Sequence, residues 1–227
     1  MELTEPIKMT DETFRDKGLI GLTNLGNTCY MNSIIHCINN TLPLSSYFLT
    51  NDYLEDLNSS DDTKIEHHLA VEWYRLCKGL WSSHCTIAPK SFYRCVQWLS
   101  IQLERPEFLG FTHKCAHEFY GFFLEMLHTS LAKEVIMTIR GEPKNEIDKM
   151  AIEALQSWKA FFKKDFSIIV DLFYGQFYSS ITDGDGNKVS STYEPFNSIT
   201  LPIPEEQKTG QLLTLYDCFN RFFSFLF

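Results

Sequence analysis

Apolar residues in this chain recur at helical spacing as far as Lys163, and from Gly175 onward the texture becomes that of strands. The first helix follows Cys29 and fades at Thr41-Leu42-Pro43, where proline punctuates. From Asp61 to Trp81 a stripe runs through Ile65, Leu69, Trp73, Leu76 and Leu80, with Asp61 and Asp62 where an N-cap belongs. A third helix starts at Pro89 and carries Phe92, Val96 and Leu99. A fourth is predicted from about His113 to Ala132 and a fifth from Glu146 to Lys163, followed by a short apolar segment, Ser167 to Phe173. Two runs rich in β-branched and aromatic residues then flank Asp183-Gly184-Asp185-Gly186-Asn187, a strong hairpin signal. A further strand ending at Pro202 and Pro204, and a helix over Leu213 to Phe223, complete the pattern. A helical front followed by hairpins predicts an α+β fold. The first 17 residues read as a flexible lead-in.

The chemistry concentrates between Gly21 and Ser33. That stretch reads as a Gly/Asn loop delivering one cysteine, Cys29, to the first turn of a helix, with Gly26 suited to a tight turn. Unpaired backbone N–H groups and the positive end of the helix dipole favour a thiolate there, and the thiolate is the reactive form. The amides of Asn24 and Asn27 lie just upstream, placed to donate to a developing oxyanion. A buried structural cysteine after a polar loop is the plainer reading of any lone cysteine.

The unbroken run from Gly21 to Ser33 resembles the cysteine box of the ubiquitin-specific proteases. The resemblance implies Cys29 as nucleophile and Asn24 as the oxyanion-hole amide. It also implies a papain-like cysteine protease fold, with a helical thumb and β fingers. GFTHKCAHEF, from Gly110 to Phe119, looks like the family's second motif. Leu172 to Ile181 resembles the entry to the fingers, and Tyr193-Glu194-Pro195-Phe196 with the segment after it resembles the return strand. The likeness covers about residues 18–227, with 18–174 as thumb and 175–227 as partial fingers and the start of the palm. The family's histidine box, which supplies the base and its orienting partner, is expected beyond Phe227. The domain is thus expected to be incomplete, truncated before that box.

Three departures stand out. His36 occupies a helix position where the family has Gln. His113, Lys114 and Cys115 stand where it has Gln-Gln-Asp, so the tail-binding motif is reduced to Glu118 and Phe119, with His113 and Cys115 as degenerate members. A thiol cannot accept charge-assisted hydrogen bonds from a basic tail as a carboxylate does. Asp183 and Gly186 replace the first zinc-binding CxxC pair of the fingers, so no metal and no cofactor is expected. His117 falls in the second motif and is not the family's general base.

Two other metal readings give way to plainer ones. Asp183, Asp185, Asn187 and Glu194 come near an EF-hand pattern, but Lys188 stands where glycine is needed and the flanks read as strands. His113, Cys115 and His117 fall within one predicted helical turn but lack the glutamate spacing of a zinc-protease helix. His67-His68 reads as a solvent-facing pair beside the apolar stripe.

With a formal net charge of -9, the chain is a poor match for nucleic acid or an anionic membrane and is compatible with a basic partner such as the ubiquitin tail. Seven cysteines without a CxxC pair, a charged N-terminus and no long apolar run argue for an intracellular, cytoplasmic protein with no membrane insertion. The apolar C-terminal segment, Phe219 to Phe227, is a candidate protein-partner surface. Three functions remain open: a deubiquitinase acting on ubiquitin or ubiquitinated protein whose base lies outside this chain, a non-catalytic ubiquitin- or protease-binding relative, and an unstable fragment.

Overall fold

The computed structural model describes residues 17–59, 63–82, 86–186, 188–201, 214–216 and 218–219. In chain order its elements are β1 (Gly21–Leu22), α1 (Cys29–Asn39), α2 (Leu42–Leu49), α3 (Tyr53–Ser59), α4 (His67–Leu80), β2 (Thr86–Ile87) and α5 (Lys90–Gln102). A 3-10 turn (Pro106–Phe108), α6 (Ala116–Leu131), α7 (Glu146–Phe162), α8 (Ile168–Phe173), β3 (Gly175–Thr182) and β4 (Lys188–Phe196) follow. The chain divides into two compact units, one ending at Phe173 and one starting at Tyr174.

The first unit is helical and is built around aromatic rings. Trp73 of α4 is fully buried. Its ring lies 5.1 Å from Phe123 of α6, 6.3 Å from Phe92 of α5 and 6.4 Å from Phe48 of α2, all edge-on. Trp73, Phe92 and Phe123 come from helical stretches predicted from the sequence, whereas Phe48 belongs to α2, which was not predicted. A two-stranded parallel sheet pairs Gly21 with Thr86 and Leu22 with Ile87, and pins the segment before Cys29 to the start of the α5 region.

The second unit holds the expected hairpin. β3 and β4 pair antiparallel from Gly175 opposite Phe196 to Thr182 opposite Lys188, with an irregularity at Ile181/Thr182. Phe177 stacks on Phe196 at 4.0 Å and Tyr178 faces Tyr193 at 5.1 Å, cross-strand aromatic pairs that fix the register. Asp183 Oδ1 accepts from Asp185 N at 3.0 Å, and Asp183 O accepts from Gly186 N at 3.0 Å. That is a hydrogen-bonded turn between strands, whereas a calcium loop requires flanking helices.

Several boundaries differ from the sequence reading. Leu42 and Pro43 open α2, because proline suits the first turn of a helix as well as it stops one. The helix expected from Asp61 starts at His67, with Glu66 at its N-cap, while Asp61 and Asp62 lie outside the described residues. The fourth helix starts at Ala116, with Cys115 extended at its N-cap, so His113 and Cys115 precede it and share no face with His117. β4 ends at Phe196, and 197–201 is not strand; Pro202 and Pro204 lie outside the described residues. Leu215, Tyr216, Cys218 and Phe219 are helical, while the rest of the apolar C-terminal segment lies outside the described residues.

One buried contact makes stability depend on pH. His128, in the last turn of α6, shares a 2.8 Å hydrogen bond between Nδ1 and Ser167 Oγ. Burial lowers the pKa of the ring below its usual 6.5, with Lys64 adding to the shift and Asp165 opposing it. Its neutral form is therefore favoured in the folded state. The resulting stability is fully present above the unfolded value and is lost as pH falls through the lower folded value. Urea midpoints of wild type and His128→Gln are expected to diverge most above neutral pH and to converge in acid. A constant difference would exclude His128 as the cause.

Candidate active site

Cys29 is the first residue of α1, and the loop before it is organised by a single side chain. Asn24 Oδ1 accepts from Gly26 N at 3.0 Å, Thr28 N at 3.1 Å and Thr28 Oγ1 at 3.2 Å. Thr28, buried at the N-cap, accepts from Leu25 N through Oγ1 at 3.0 Å, and its carbonyl takes the first intrahelical bond, from Asn32 N, at 2.9 Å. With its carbonyl oxygen so occupied, Asn24 keeps an NH2 group that has no acceptor among the described residues. Both Asn24 and Cys29 are exposed.

The loop is held from outside as well. Asn27 adopts φ 53° and donates from Nδ2 to Phe111 O at 2.7 Å. Gly26 has φ 111°, and a Cβ built on it would come within 3.1 Å of the Phe111 ring, so glycine is required twice over. Phe111 in turn stacks on Tyr93 of α5 at 5.7 Å. Tyr93 donates from its hydroxyl to Gly110 O at 2.8 Å, and Gln97 clamps the same turn, donating to Phe108 O and accepting from Gly110 N at 3.0 Å. The two motifs singled out in the sequence, separated by 84 residues at the Asn27–Phe111 bond, thus form one structure.

Within the second motif the residues divide. Phe119 is fully buried; it meets Tyr30 of α1 edge-on at 5.5 Å and stacks on Phe123 at 6.0 Å. The sequence reading placed it with the tail-binding residues, but it packs α6 against α1 and presents no surface to a ligand. Glu118, His113 and Cys115 are exposed, with Glu118 in the first turn of α6. Phe111 and Tyr93 were not anticipated as site residues. The available signal was a Gly-Phe pair opening the second motif, and nothing local connects it to Gly26.

The surroundings of Cys29 offer little base chemistry. Burial pushes the Tyr30 hydroxyl up to about 12, with Tyr93 and Cys29 adding to the shift, so Tyr30 stays protonated at neutral pH. Among the described residues no histidine hydrogen-bonds to Cys29; His36 and His117 lie on α1 and α6 without a bond to it. Cys77 and Cys95 are buried and burial pushes both thiols up to about 12, which marks them as inert core residues, whereas Cys29, Cys37 and Cys115 are exposed. Among the described residues no group of three or more His, Cys, Asp or Glu converges as metal ligands, and no helix is long and apolar enough to cross a membrane.

Residues 20–210 match the ubiquitin carboxyl-terminal hydrolase family. The chain belongs to that family. Ubiquitin carboxyl-terminal hydrolase 15 of Xenopus tropicalis is 33% identical over 215 residues, 91% of this chain and 20% of that protein. The Homo sapiens protein of the same name is 35% identical over 199 residues, 84% of this chain and 19% of its own length. The chain therefore spans about 20% of the length of these hydrolase relatives. Among solved structures, the SAGA DUB module of Ubp8, Sgf11, Sus1 and Sgf73 bound to monoubiquitin aligns with a TM-score of 0.60 at 20% identity, over 91% of this chain and 39% of the other. The same module bound to ubiquitin aldehyde gives 0.59, again at 20% identity, over 92% and 39%. The helical thumb and β-hairpin of this chain are those of the ubiquitin-specific protease fold.

Proposed function

We propose that this chain carries the nucleophile-bearing portion of a cysteine-type deubiquitinase. In this reading Cys29 attacks the carbonyl at the C-terminus of ubiquitin and Asn24 Nδ2 donates to the oxyanion. Glu118 is the carboxylate left to meet the basic tail, with His113 and Cys115 at the degenerate positions of that contact. The observation that carries the reading is the Asn24 side chain, whose oxygen is fixed by three bonds so that its NH2 is held ready ahead of an exposed helix-terminal thiol. Preorganised donors of this kind stabilise charge as it develops, without reorganisation at the moment of reaction.

The reading leaves the general base to groups outside the described residues. A chain tested without such a base is expected to lose roughly a hundred- to ten-thousand-fold in turnover. The absence of a histidine bonded to Cys29 among the described residues favours a second reading, a non-catalytic ubiquitin-binding relative.

A ubiquitin bearing a thiol-reactive C-terminal group separates the two. The expected result is a covalent adduct with the wild-type chain, at Cys29, that disappears in Cys29→Ala. A folded chain that binds ubiquitin but forms no adduct would support the non-catalytic reading. A chain that neither binds nor labels would leave neither standing.

A further inference from the structure

A groove of about 440 Å³ lies between α4 and α5, and its lining shares no residue with the loop around Cys29. Val71, the buried Cys95 and Trp98 give it apolar walls. Trp98 is 37% exposed, and its ring meets His68 of α4 at 5.0 Å. The His67-His68 pair, read from the sequence as solvent-facing, thus lines a cavity. A smaller recess of about 160 Å³ shares Glu72, Arg75 and Ser91 with the groove and reaches Lys90. The two helices run antiparallel here: His68, near the start of α4, meets Trp98 near the end of α5, while Arg75 shares the recess with Lys90. From His68 to Arg75 the groove spans about 10 Å at the rise of an α-helix.

The charge around this groove runs against that of the chain. The two helices carry Arg75, Lys78, Lys90 and Arg94 against one acid, Glu72, in a chain whose formal net charge is -9. Glu72 is already bound to Arg75 within α4. Arg94 is exposed on α5 and has no hydrogen-bond or ion-pair partner among the described residues. A lone surface arginine is ordinary. An unpaired guanidinium beside a half-open indole, over a groove of ligand size, is the combination that recognises an anion carrying an apolar group.

We propose that the α4–α5 groove docks an acidic peptide segment of a partner protein. One aromatic or aliphatic side chain of the peptide seats against Trp98 and Val71, and flanking carboxylates pair with Arg94 and Lys90. Nucleic acid would meet the same cations, but a groove of this length holds only one or two bases, and the acidic remainder of the chain repels a polyanion. One buried side chain and exposed ion pairs make a weak site, with a Kd on the order of 10⁻⁴ M.

Isothermal titration calorimetry of the full chain with the peptide Glu-Asp-Phe-Asp-Glu tests this. The neutral counterpart Gln-Asn-Phe-Asn-Gln is expected to bind roughly tenfold more weakly, because it leaves Arg94 unpaired. Trp98→Ala and Arg94→Glu are each expected to weaken binding of the acidic peptide by roughly tenfold. Both side chains are exposed, so circular dichroism spectra are expected to stay those of the wild type. Lys144→Glu makes the same change in net charge at an exposed position outside the groove, and is expected to leave the affinity within about twofold. Absence of binding to wild type, equal binding of the neutral peptide, or an equal loss in Lys144→Glu and Arg94→Glu overturns the proposal. Tighter binding of a five-nucleotide oligothymidine would assign the groove to single-stranded nucleic acid and overturn it as well.

Discussion

Exchange of Asn24 for aspartate is expected to slow acylation of Cys29 by a ubiquitin C-terminal thioester by roughly 10²–10³-fold, the usual loss for one oxyanion donor. The loop is expected to survive the change. A carboxylate oxygen can accept from Gly26 N, Thr28 N and Thr28 Oγ1 as the amide oxygen does, so the scaffold function is retained while the donor is removed. Asn24→Ala removes both. It is expected to slow acylation as much and, in addition, to cost about 1–2 kcal/mol of stability, because those donors lose their acceptor in a partly buried loop. Single-turnover mass spectrometry reads the acylation and thermal melts read the stability. Wild-type acylation by Asn24→Asp would remove Asn24 from the chemistry and leave it a structural role only.

Trp73→Ala is expected to destabilise the helical unit by about 3–5 kcal/mol. The ring is fully buried among Phe48, Phe92 and Phe123, and three helices would border the resulting cavity. Trp73→Phe is a different case. The indole Nε1 is buried with no hydrogen-bond partner, so tryptophan already carries the cost of an unmet donor. Phenylalanine removes that cost and leaves a smaller void. The two effects offset, and the net change is expected to stay within about 1 kcal/mol. Denaturant titration of both variants checks the pair. A loss in Trp73→Phe well above about 1 kcal/mol would mean that the indole nitrogen is satisfied after all.

Trp73 and Cys29 mark how far the sequence was legible. Trp73 sits on a stripe with a clear helical period, and such stripes locate a core without any knowledge of its partners. Cys29 was legible for a similar reason, because a glycine-asparagine loop running into an apolar helix is a local pattern. α2 and α3 went unread because they are short, and because Pro43 signals a helix start and a helix stop with equal force. The two-residue strands β1 and β2 have no period to detect. The start of α6 was placed too early, since His113 and Cys115 fit a helical pattern in sequence while the backbone at Cys115 is extended. The bond from Asn27 to Phe111 joins residues 84 apart and has no local signature at all. Such long-range ties decide the shape of the site, and periodicity is blind to them.

That same tie sets a timetable for the newborn chain. Closing a loop of this length is entropically costly, and nothing repays the cost until α5 and the turn after it have been made. The segment around Cys29 leaves the ribosome before Gly110 and Phe111, on which its geometry depends. During synthesis the loop around the Cys29 thiol is not held in its final form until Phe111 has been made.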